Sequence, residues 1–215
     1  MISIIAGKKT IPSTEIKIDE HYKKVIVDLG CGDGKQTYRL AYDNPENFYI
    51  GIDANFKGLE EISRKARKKP VKGGLTNVVF VHGVAESLPQ ELESVADEIQ
   101  INFPWGSLLE GFINLNDDIW KNIRMIAKNN AELKVITTYD DKFEQEFREE
   151  RSLPELTISY FEGNFREKLL SYGVKITEVR IISEEEKNEI SSPWGKKILS
   201  SRDRDVFVIN AVVVK

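Results

Sequence analysis

Apolar residues along this chain fall into short runs that alternate with segments in which they recur every three or four positions. The short runs predict buried strands at 25–29, 48–53, 77–81, 98–102 and 132–138. The periodic segments predict helices at 35–44, 56–69, 91–96, 117–129, 141–151 and 161–172. Residues 174–182 and 205–214 are apolar-rich enough to predict a final strand pair. Strands that alternate with helices indicate an α/β fold around a mostly parallel sheet.

The first 14 residues predict a β-hairpin, with a turn at Gly7 and a second strand stopped by Pro12. At 215 residues and 40% hydrophobic content the chain can bury one good core, so we expect a single domain over 1–215. No apolar run approaches the ~20 residues that span a bilayer, and the N-terminus lacks the apolar core of a signal peptide. We therefore expect a cytoplasmic protein without membrane contact.

A glycine-rich loop follows the first buried strand and is the strongest chemical signal in the chain. Its spacing is Gly-x-Gly-x-Gly behind Asp28, whereas a dinucleotide fingerprint requires Gly-x-Gly-x-x-Gly. A carboxylate at Asp28 would repel a pyrophosphate but would suit the ammonium of an amino-acid moiety. S-adenosylmethionine is the ligand that this pattern favours, and the alternative is an ordinary strand-to-helix turn.

Polar and aromatic residues also follow the next three strands. Asp53 ends the second strand, where a carboxylate accepts hydrogen bonds from ribose hydroxyls. Ala85 and Glu86 follow the third strand and would border an adenine ring. After the fourth strand, Trp105 lies in a loop where a substrate base would stack. Carboxyl ends of parallel strands share one edge of the sheet, so these residues predict a single ligand site.

The charge distribution predicts a local nucleic-acid surface on a chain of net charge −4. Between Lys57 and Lys72, seven basic residues against two acidic ones give a local balance of +5. The helical spacing places Arg64, Lys65 and their basic neighbours opposite the apolar face, as phosphate-contacting surfaces require. The alternative is a solvated helix face.

Metal and disulfide chemistry have little support in the sequence. The chain has one cysteine, Cys31, and two histidines, His21 and His82, that stand far apart. We therefore expect no metal site.

The segment between the last two strands, 183–204, is too long for a hairpin turn, and loops of that length are commonly functional or disordered. It carries Trp194, which, like Trp105 after Pro104, lies in a predicted polar loop. Tryptophan is highly buried on average, so a core position is the alternative for both rings. Their place in loops at the ligand edge favours stacking against a base.

With these motifs together, the chain resembles the 16S rRNA adenine-N1 methyltransferases of the Npm/Kam group. The resemblance rests on Phe103-Pro104-Trp105-Gly106-Ser107, Lys72-Gly73-Gly74-Leu75 and Ser192-x-Trp194, in addition to the glycine loop. It implies a Rossmann-like class I S-adenosylmethionine-dependent fold, with a seven-stranded, mostly parallel sheet, a C-terminal antiparallel strand pair and the N-terminal hairpin. Substrate-recognition insertions are expected near 141–172 and 183–204.

The resemblance implies methyl transfer from S-adenosylmethionine to N1 of adenine 1408 in the decoding site of the 30S subunit, by a monomer, with aminoglycoside resistance as the result. Cofactor contacts are implied for Asp28, Gly30, Cys31, Gly32, Asp53, Ala54, Ala85, Glu86, Asn102, Phe103, Pro104, Trp105, Gly106, Ser107, Ser192, Pro193 and Trp194. Trp105 and Trp194 would sandwich the flipped adenine, and the methyl-transfer site would comprise Phe103, Pro104, Trp105, Ser192 and Trp194. Contacts to rRNA are implied for Arg64, Lys65, Lys68, Lys69, Lys72, Arg151, Lys197, Arg202 and Arg204.

Three other functions share part of this pattern. A tRNA guanine-N7 methyltransferase would share the cofactor residues and a basic helix. A small-molecule methyltransferase would not need the basic segment at 64–69. A non-catalytic protein that retains a vestigial cofactor loop would bind RNA but not S-adenosylmethionine.

Overall fold

A computed structural model describes residues 1–139, 141–190, 193–200 and 204–215. Its strands are β1 Ile2–Ala6, β2 Lys9–Ser13, β3 Val25–Leu29, β4 Phe48–Asp53, β5 Val78–His82, β6 Ala96–Asn102, β7 Ala127–Thr137, β8 Val174–Ile181 and β9 Phe207–Val213. Its α-helices are α1 Lys35–Asp43, α2 Phe56–Ala66, α3 Ser107–Ile113, α4 Asp117–Ile126, α5 Asp141–Glu150, α6 Ile158–Tyr160, α7 Arg166–Ser171, α8 Glu184–Glu189 and α9 Pro193–Ser200. A π-helical turn, Phe161–Phe165, joins α6 to α7.

The strands form one sheet in the order β2-β1-β5-β4-β3-β6-β7-β9-β8. Strands β3 to β7 are parallel to one another, whereas β9 is antiparallel to both β7 and β8. The predicted α/β class, the parallel centre and the terminal antiparallel pair are therefore confirmed. The hairpin is more than an addition to the front, because β1 pairs with β5 and extends the sheet to nine strands over the described residues.

Helices cover the sheet on both faces, and the alternation of side chains along each strand divides the core accordingly. On β3, Ile26 belongs to a core cluster that includes residues of α1 and α2, while Val27 belongs to the larger cluster that includes residues of α3 and α4. Trp120 of α4 is fully buried against Phe112 and Phe165. It is a core residue, unlike the other two tryptophans.

Three helix predictions need correction. The predicted helix at 91–96 is a single 3-10 turn, Gln90–Leu92, because β6 already begins at Ala96. The helix predicted over 117–129 ends at Ile126, and β7 follows it directly. The sequence interpretation missed α3, whose apolar residues directly continue a loop of aromatic and glycine residues.

The 183–204 segment contains two helices where a loop was expected. Ser183 and Glu186 form a reciprocal capping box at the start of α8. Pro193 is the first residue of α9, a position where proline is well tolerated because its missing N–H would have no partner there. Among the described residues, the structure contains no helix that is long and apolar enough to cross a membrane.

Candidate active site

A cavity of about 540 Å³ lies beyond the carboxyl ends of β3, β4 and β6. That volume is in the range of roughly 300–1,000 Å³ that small-molecule sites occupy. Most of the predicted site residues line it: Asp28, Gly30, Cys31, Gly32, Asp53, Ala54, Ala85, Glu86, Asn102, Phe103, Pro104, Trp105, Ser107, Trp194 and Lys197. The fold therefore brings together residues from every strand end that the sequence singled out.

The glycine loop is shaped by positive φ angles at Gly30, Gly32 and Gly34, at 81°, 61° and 68°. A Cβ at Gly30 would lie 2.4 Å from Leu108 Cδ2, and one at Gly34 would lie 2.6 Å from the Phe80 ring. A Cβ at Gly32 would meet nothing within 4 Å. The outer glycines thus allow close packing, whereas Gly32 borders open space that a ligand can enter.

Asp28 lies buried beneath this loop, with 3% of the residue exposed. Its Oδ2 accepts a hydrogen bond of 2.5 Å from the Thr37 hydroxyl. Burial raises the pKa of Asp28 to about 6, the negative charge of Asp53 adds to the increase, and hydrogen bonds from Thr37 and Asn102 oppose it. Among the residues that the structure describes, no cation pairs with this buried carboxylate, so it is available to a positively charged group of a ligand.

Burial also raises the pKa of the Cys31 thiol well above its usual value, and the charges of Asp28 and Asp53 act in the same direction. The thiol therefore remains neutral at physiological pH. A neutral thiol does not act as a nucleophile, so Cys31 is a small residue of the loop.

Asp53 is fixed by two backbone donors. Its Oδ2 accepts from the Gly32 N–H and its Oδ1 from the Asn55 N–H, both at 2.7 Å. Asn55 in turn caps α2 by accepting from the Gly58 N–H. The carboxylate is only partly buried and each oxygen has a second lone pair, so Asp53 can accept further hydrogen bonds from a ligand in the cavity.

The loop after β6 is held in an unusual backbone conformation. Phe103 has a φ of 50° although it is not glycine, and its side chain is buried against Ile182 and Val206. Its N–H donates to the Ile136 carbonyl at 2.7 Å. Gly106 has φ 61° and ψ −136°, a combination essentially restricted to glycine. A non-glycine residue with positive φ at a cavity rim is typical of functional sites, and Trp105 lies between Phe103 and Gly106.

Trp105 and Trp194 meet at this cavity although they are 89 positions apart in the chain. Trp105 is 42% exposed and Trp194 is 41% exposed, so neither is a core residue. Their ring centroids are 6.1 Å apart, and the ring planes cross at 75°. The two rings are therefore neighbours in an edge-to-face arrangement at this cavity.

Trp105 also stacks on Phe147 of α5, with centroids 4.5 Å apart and planes 13° from parallel. The guanidinium of Arg151 lies 4.2 Å from the Phe147 ring centroid. Sequence reasoning missed Phe147, because an aromatic residue in a charged helix carries no signal about which distant ring it will contact.

Most of the predicted rRNA-contacting cations are on the surface. The exposed ones are Arg64, Lys65, Lys68, Lys69, Lys72 and Lys197, and Arg151 is partly exposed. Lys197 Nζ lies 5.4 Å from the Trp194 ring centroid. Within the described ranges, the six basic residues from Arg64 to Lys72 form no ion pair with a carboxylate.

Among the residues predicted to contact rRNA, Arg204 needs correction. Only 4% of its side chain is exposed, and its guanidinium makes two hydrogen bonds, of 2.9 and 3.1 Å, to the Glu144 carboxylate. The prediction that Arg204 contacts rRNA is wrong in this structure, because its side chain is buried and its guanidinium is paired with the Glu144 carboxylate.

A few predicted residues fall elsewhere. Gly106 shapes the loop but does not line the cavity. Pro193 begins α9, and Ser192 and Arg202 lie outside the described residues. The cavity lining also includes Gln36, Asn55, Gly58, Val84 and Leu108, none of which was predicted. Asn55 could have been found from its position as a helix cap two residues after Asp53.

The cavity suits S-adenosylmethionine on the residues present. A buried carboxylate is available for a cation, a second acid faces the cavity, and the space beside Gly32 is open. With the parallel sheet and its antiparallel end pair, these features define a class I S-adenosylmethionine-dependent methyltransferase.

The family model NpmA, described as 16S rRNA (adenine(1408)-N(1))-methyltransferase, matches residues 3–213, and the chain belongs to this family. It is 40% identical over 216 residues to an Escherichia coli 16S rRNA (adenine(1408)-N(1))-methyltransferase, with 99% of each chain covered. The resemblance seen in the motifs is thereby confirmed.

Two solved structures are similar over their whole length. One is a mutant 16S rRNA (adenine(1408)-N(1))-methyltransferase from Catenulisporales acidiphilia with cosubstrate SAM, at a TM-score of 0.88, 29% identity and coverage of 100% of this chain and 98% of that one. The other is the aminoglycoside resistance methyltransferase NpmB1, at a TM-score of 0.82, 31% identity and 100% coverage of both chains.

Proposed function

We propose that this chain transfers the methyl group of S-adenosylmethionine to N1 of adenine 1408 in the 16S rRNA of the assembled 30S subunit. The observation that carries the proposal is the meeting of two exposed tryptophans at the mouth of a cavity whose floor holds Asp28. A small-molecule site needs no such pair of outward-facing rings. The enzyme is proposed to act as a monomer, in the cytoplasm, where 30S subunits are found.

The cofactor is proposed to span the cavity from Asp28 to Ala85. Asp28 would pair with its ammonium and Asp53 would accept from its ribose hydroxyls. Ala85 would border the adenine ring, on a segment held in place by the Asn122 amide, which donates to the Ala85 carbonyl at 2.9 Å. When bound, the cofactor supplies an electrophilic methyl group on a sulfonium.

The two tryptophans are proposed to hold the flipped base. A base that is stacked between two indoles requires the two ring planes to be nearly parallel, with room for the base between them. Trp194 must therefore turn from its edge-to-face position when the base enters. Stacking contributes ~1–3 kcal/mol per base, so two faces can offset the few kcal/mol of unstacking.

Alignment is proposed to supply most of the rate acceleration. The N1 lone pair lies in the plane of the ring and needs no prior deprotonation, so no general base is required. Phe103 and Pro104 line the same cavity, and their backbone oxygens would accept from the exocyclic amine of the adenine. The hydrogen bond of 2.7 Å from the Phe103 N–H to the Ile136 carbonyl helps to hold this loop in place before the base arrives.

The exposed cations of α2 and the turn after it are proposed to dock on rRNA phosphates, together with Arg151 and Lys197. The turn is rigidly held: the Tyr38 hydroxyl donates to the Gly73 carbonyl at 2.6 Å, and Lys65 lies 4.2 Å from the Tyr38 ring centroid. A Cβ at Gly74 would lie 1.6 Å from the Lys68 carbonyl oxygen, so glycine is required there. Preorganised cations lose less entropy on binding.

The test is transfer of a labelled methyl group to purified 30S subunits, free 16S rRNA and tRNA, followed by primer extension. We expect a stop at adenine 1408 with 30S subunits, and no label in tRNA. Trp105→Ala should lower transfer at least tenfold while S-adenosylmethionine affinity, measured by calorimetry, stays unchanged. Transfer to tRNA alone would refute the proposal, and equal loss of cofactor affinity would show that Trp105 is structural.

A further inference from the structure

The stacking of Phe147 on Trp105 is not accounted for by cofactor binding. Phe147 does not line the cavity, and it lies nearly parallel to Trp105 at 4.5 Å. One face of the indole is therefore covered by protein. Any base that stacks on Trp105 must use the other face.

The stack is supported from its far side. Because Trp105 covers one face of Phe147, the Arg151 guanidinium, 4.2 Å from the ring centroid, must lie over the other face. Arg151 also pairs with Glu150 at 3.1 Å and lies 3.9 Å from the carboxylate of Glu110, on the helix that follows the Trp105 loop. The three side chains thus form a layered column between α3 and α5.

An indole that is 42% exposed and sits on a loop has several rotamers available. Fixing a side chain when a ligand binds costs roughly 0.5–1.5 kcal/mol, and a stacked aromatic neighbour removes part of that cost in advance. Trp194 has no such parallel partner among the described residues and must turn to face a base. Trp105 would then keep its orientation when a base binds, whereas Trp194 would move onto the opposite face of the base.

We infer that Phe147 is a positioning residue for base recognition, which holds the Trp105 ring ready to stack and blocks its outer face. This inference rests on the proposed function, since the base is the substrate adenine. Phe147 acts through Trp105 and touches neither the cofactor cavity nor the reacting atoms.

The variant that tests this is Phe147→Leu, which keeps an apolar side chain of similar size but removes the parallel ring. An aromatic pair contributes about 0.5–1.5 kcal/mol, so we expect kcat/KM for 30S subunits to fall roughly two- to tenfold. Phe147→Tyr, which retains the ring, should restore the wild-type value. The affinity for S-adenosylmethionine should be the same in all three proteins.

A matched control separates this role from simple packing, because Phe147 also contacts the main core. Tyr22 is similarly half-buried and packs on Phe48, but it precedes β3, at the end of the sheet opposite the cavity. Tyr22→Leu should lower thermal stability about as much as Phe147→Leu without changing kcat/KM.

A spectroscopic readout reports the ring directly. The chain has three tryptophans, so replacing Trp120 and Trp194 by Phe leaves Trp105 as the single indole. Phe147→Leu should then raise the quenching of its fluorescence by acrylamide, and Phe147→Tyr should not.

The outcomes distinguish the two proposals. A wild-type enzyme that does not methylate 30S subunits overturns the proposed function and this inference with it. An active wild type with Phe147→Leu at full kcat/KM, or with both Leu and Tyr variants equally impaired, overturns the inference alone.

Discussion

The burial of Asp28, which the cofactor site requires, lowers the free energy of unfolding at neutral pH. Its pKa rises from 3.8 to about 6 on folding, so between these values the folded protein holds a proton that the unfolded chain has released. Unfolding then releases a proton, and the free energy of unfolding falls as the pH rises. A shift of about 2 pKa units corresponds to about 3 kcal/mol at 1.36 kcal/mol per unit.

The perturbation is Asp28→Asn, which keeps the shape and the acceptor for the Thr37 hydroxyl but cannot ionise. We expect wild type and variant to differ in a pH-dependent way. From pH 3.8 to above pH 6, the free energy of unfolding of the wild type should fall by about 3 kcal/mol relative to that of Asp28→Asn. The measurement is urea unfolding at intervals of pH in the absence of cofactor.

Cofactor affinity supplies the second half of the prediction. A cation binds the ionised carboxylate, so wild-type affinity should weaken about tenfold per pH unit below the pKa of about 6. Asp28→Asn should bind weakly at every pH, because the charge is absent. The variant is thus expected to be more stable at neutral pH and inactive.

Asp33→Asn serves as the matched control, since Asp33 lies in the same loop but is exposed and paired with Lys35 at 2.7 Å. This variant shows how far the stability changes when an exposed carboxylate of the same loop is lost. Parallel stability curves for wild type and Asp28→Asn across this pH window would refute the reasoning about burial.

Two further predictions concern the charged residues. Replacing Lys68 and Lys69 together by Glu should weaken binding to 30S subunits and leave cofactor affinity unchanged. The slope of log affinity against log salt should fall by about two, one for each lost phosphate contact. An unchanged slope would show that these lysines do not contact the RNA. Glu144→Gln should lower the free energy of unfolding by about 3 kcal/mol in urea titrations, because it removes a carboxylate that accepts two hydrogen bonds from the buried Arg204 guanidinium; a change below about 1 kcal/mol would contradict a stabilising role for this pair.

Local patterns along the chain were enough to predict the strands and the acids that follow them. The run ending at Asp28, the alternating glycines and the acid at Asp53 each depend on neighbours in sequence, and Asp28, Gly30, Gly32 and Asp53 line the observed cavity. Local patterns did not predict where α4 ends or that α3 exists, because helix ends here are set by where a neighbouring strand or strained loop begins.

The sequence by itself determined the α/β class, the cofactor loop, the basic face of α2 and the family to which the chain belongs. Only the tertiary structure decided that Trp105 and Trp194 meet edge to face, that Phe147 backs one of them, and that Arg204 is buried. The physical reason is one of range. Periodicity and turn chemistry act over a few residues, whereas these contacts join segments that the strand order β3-β6-β7-β9-β8 brings to one edge of the sheet.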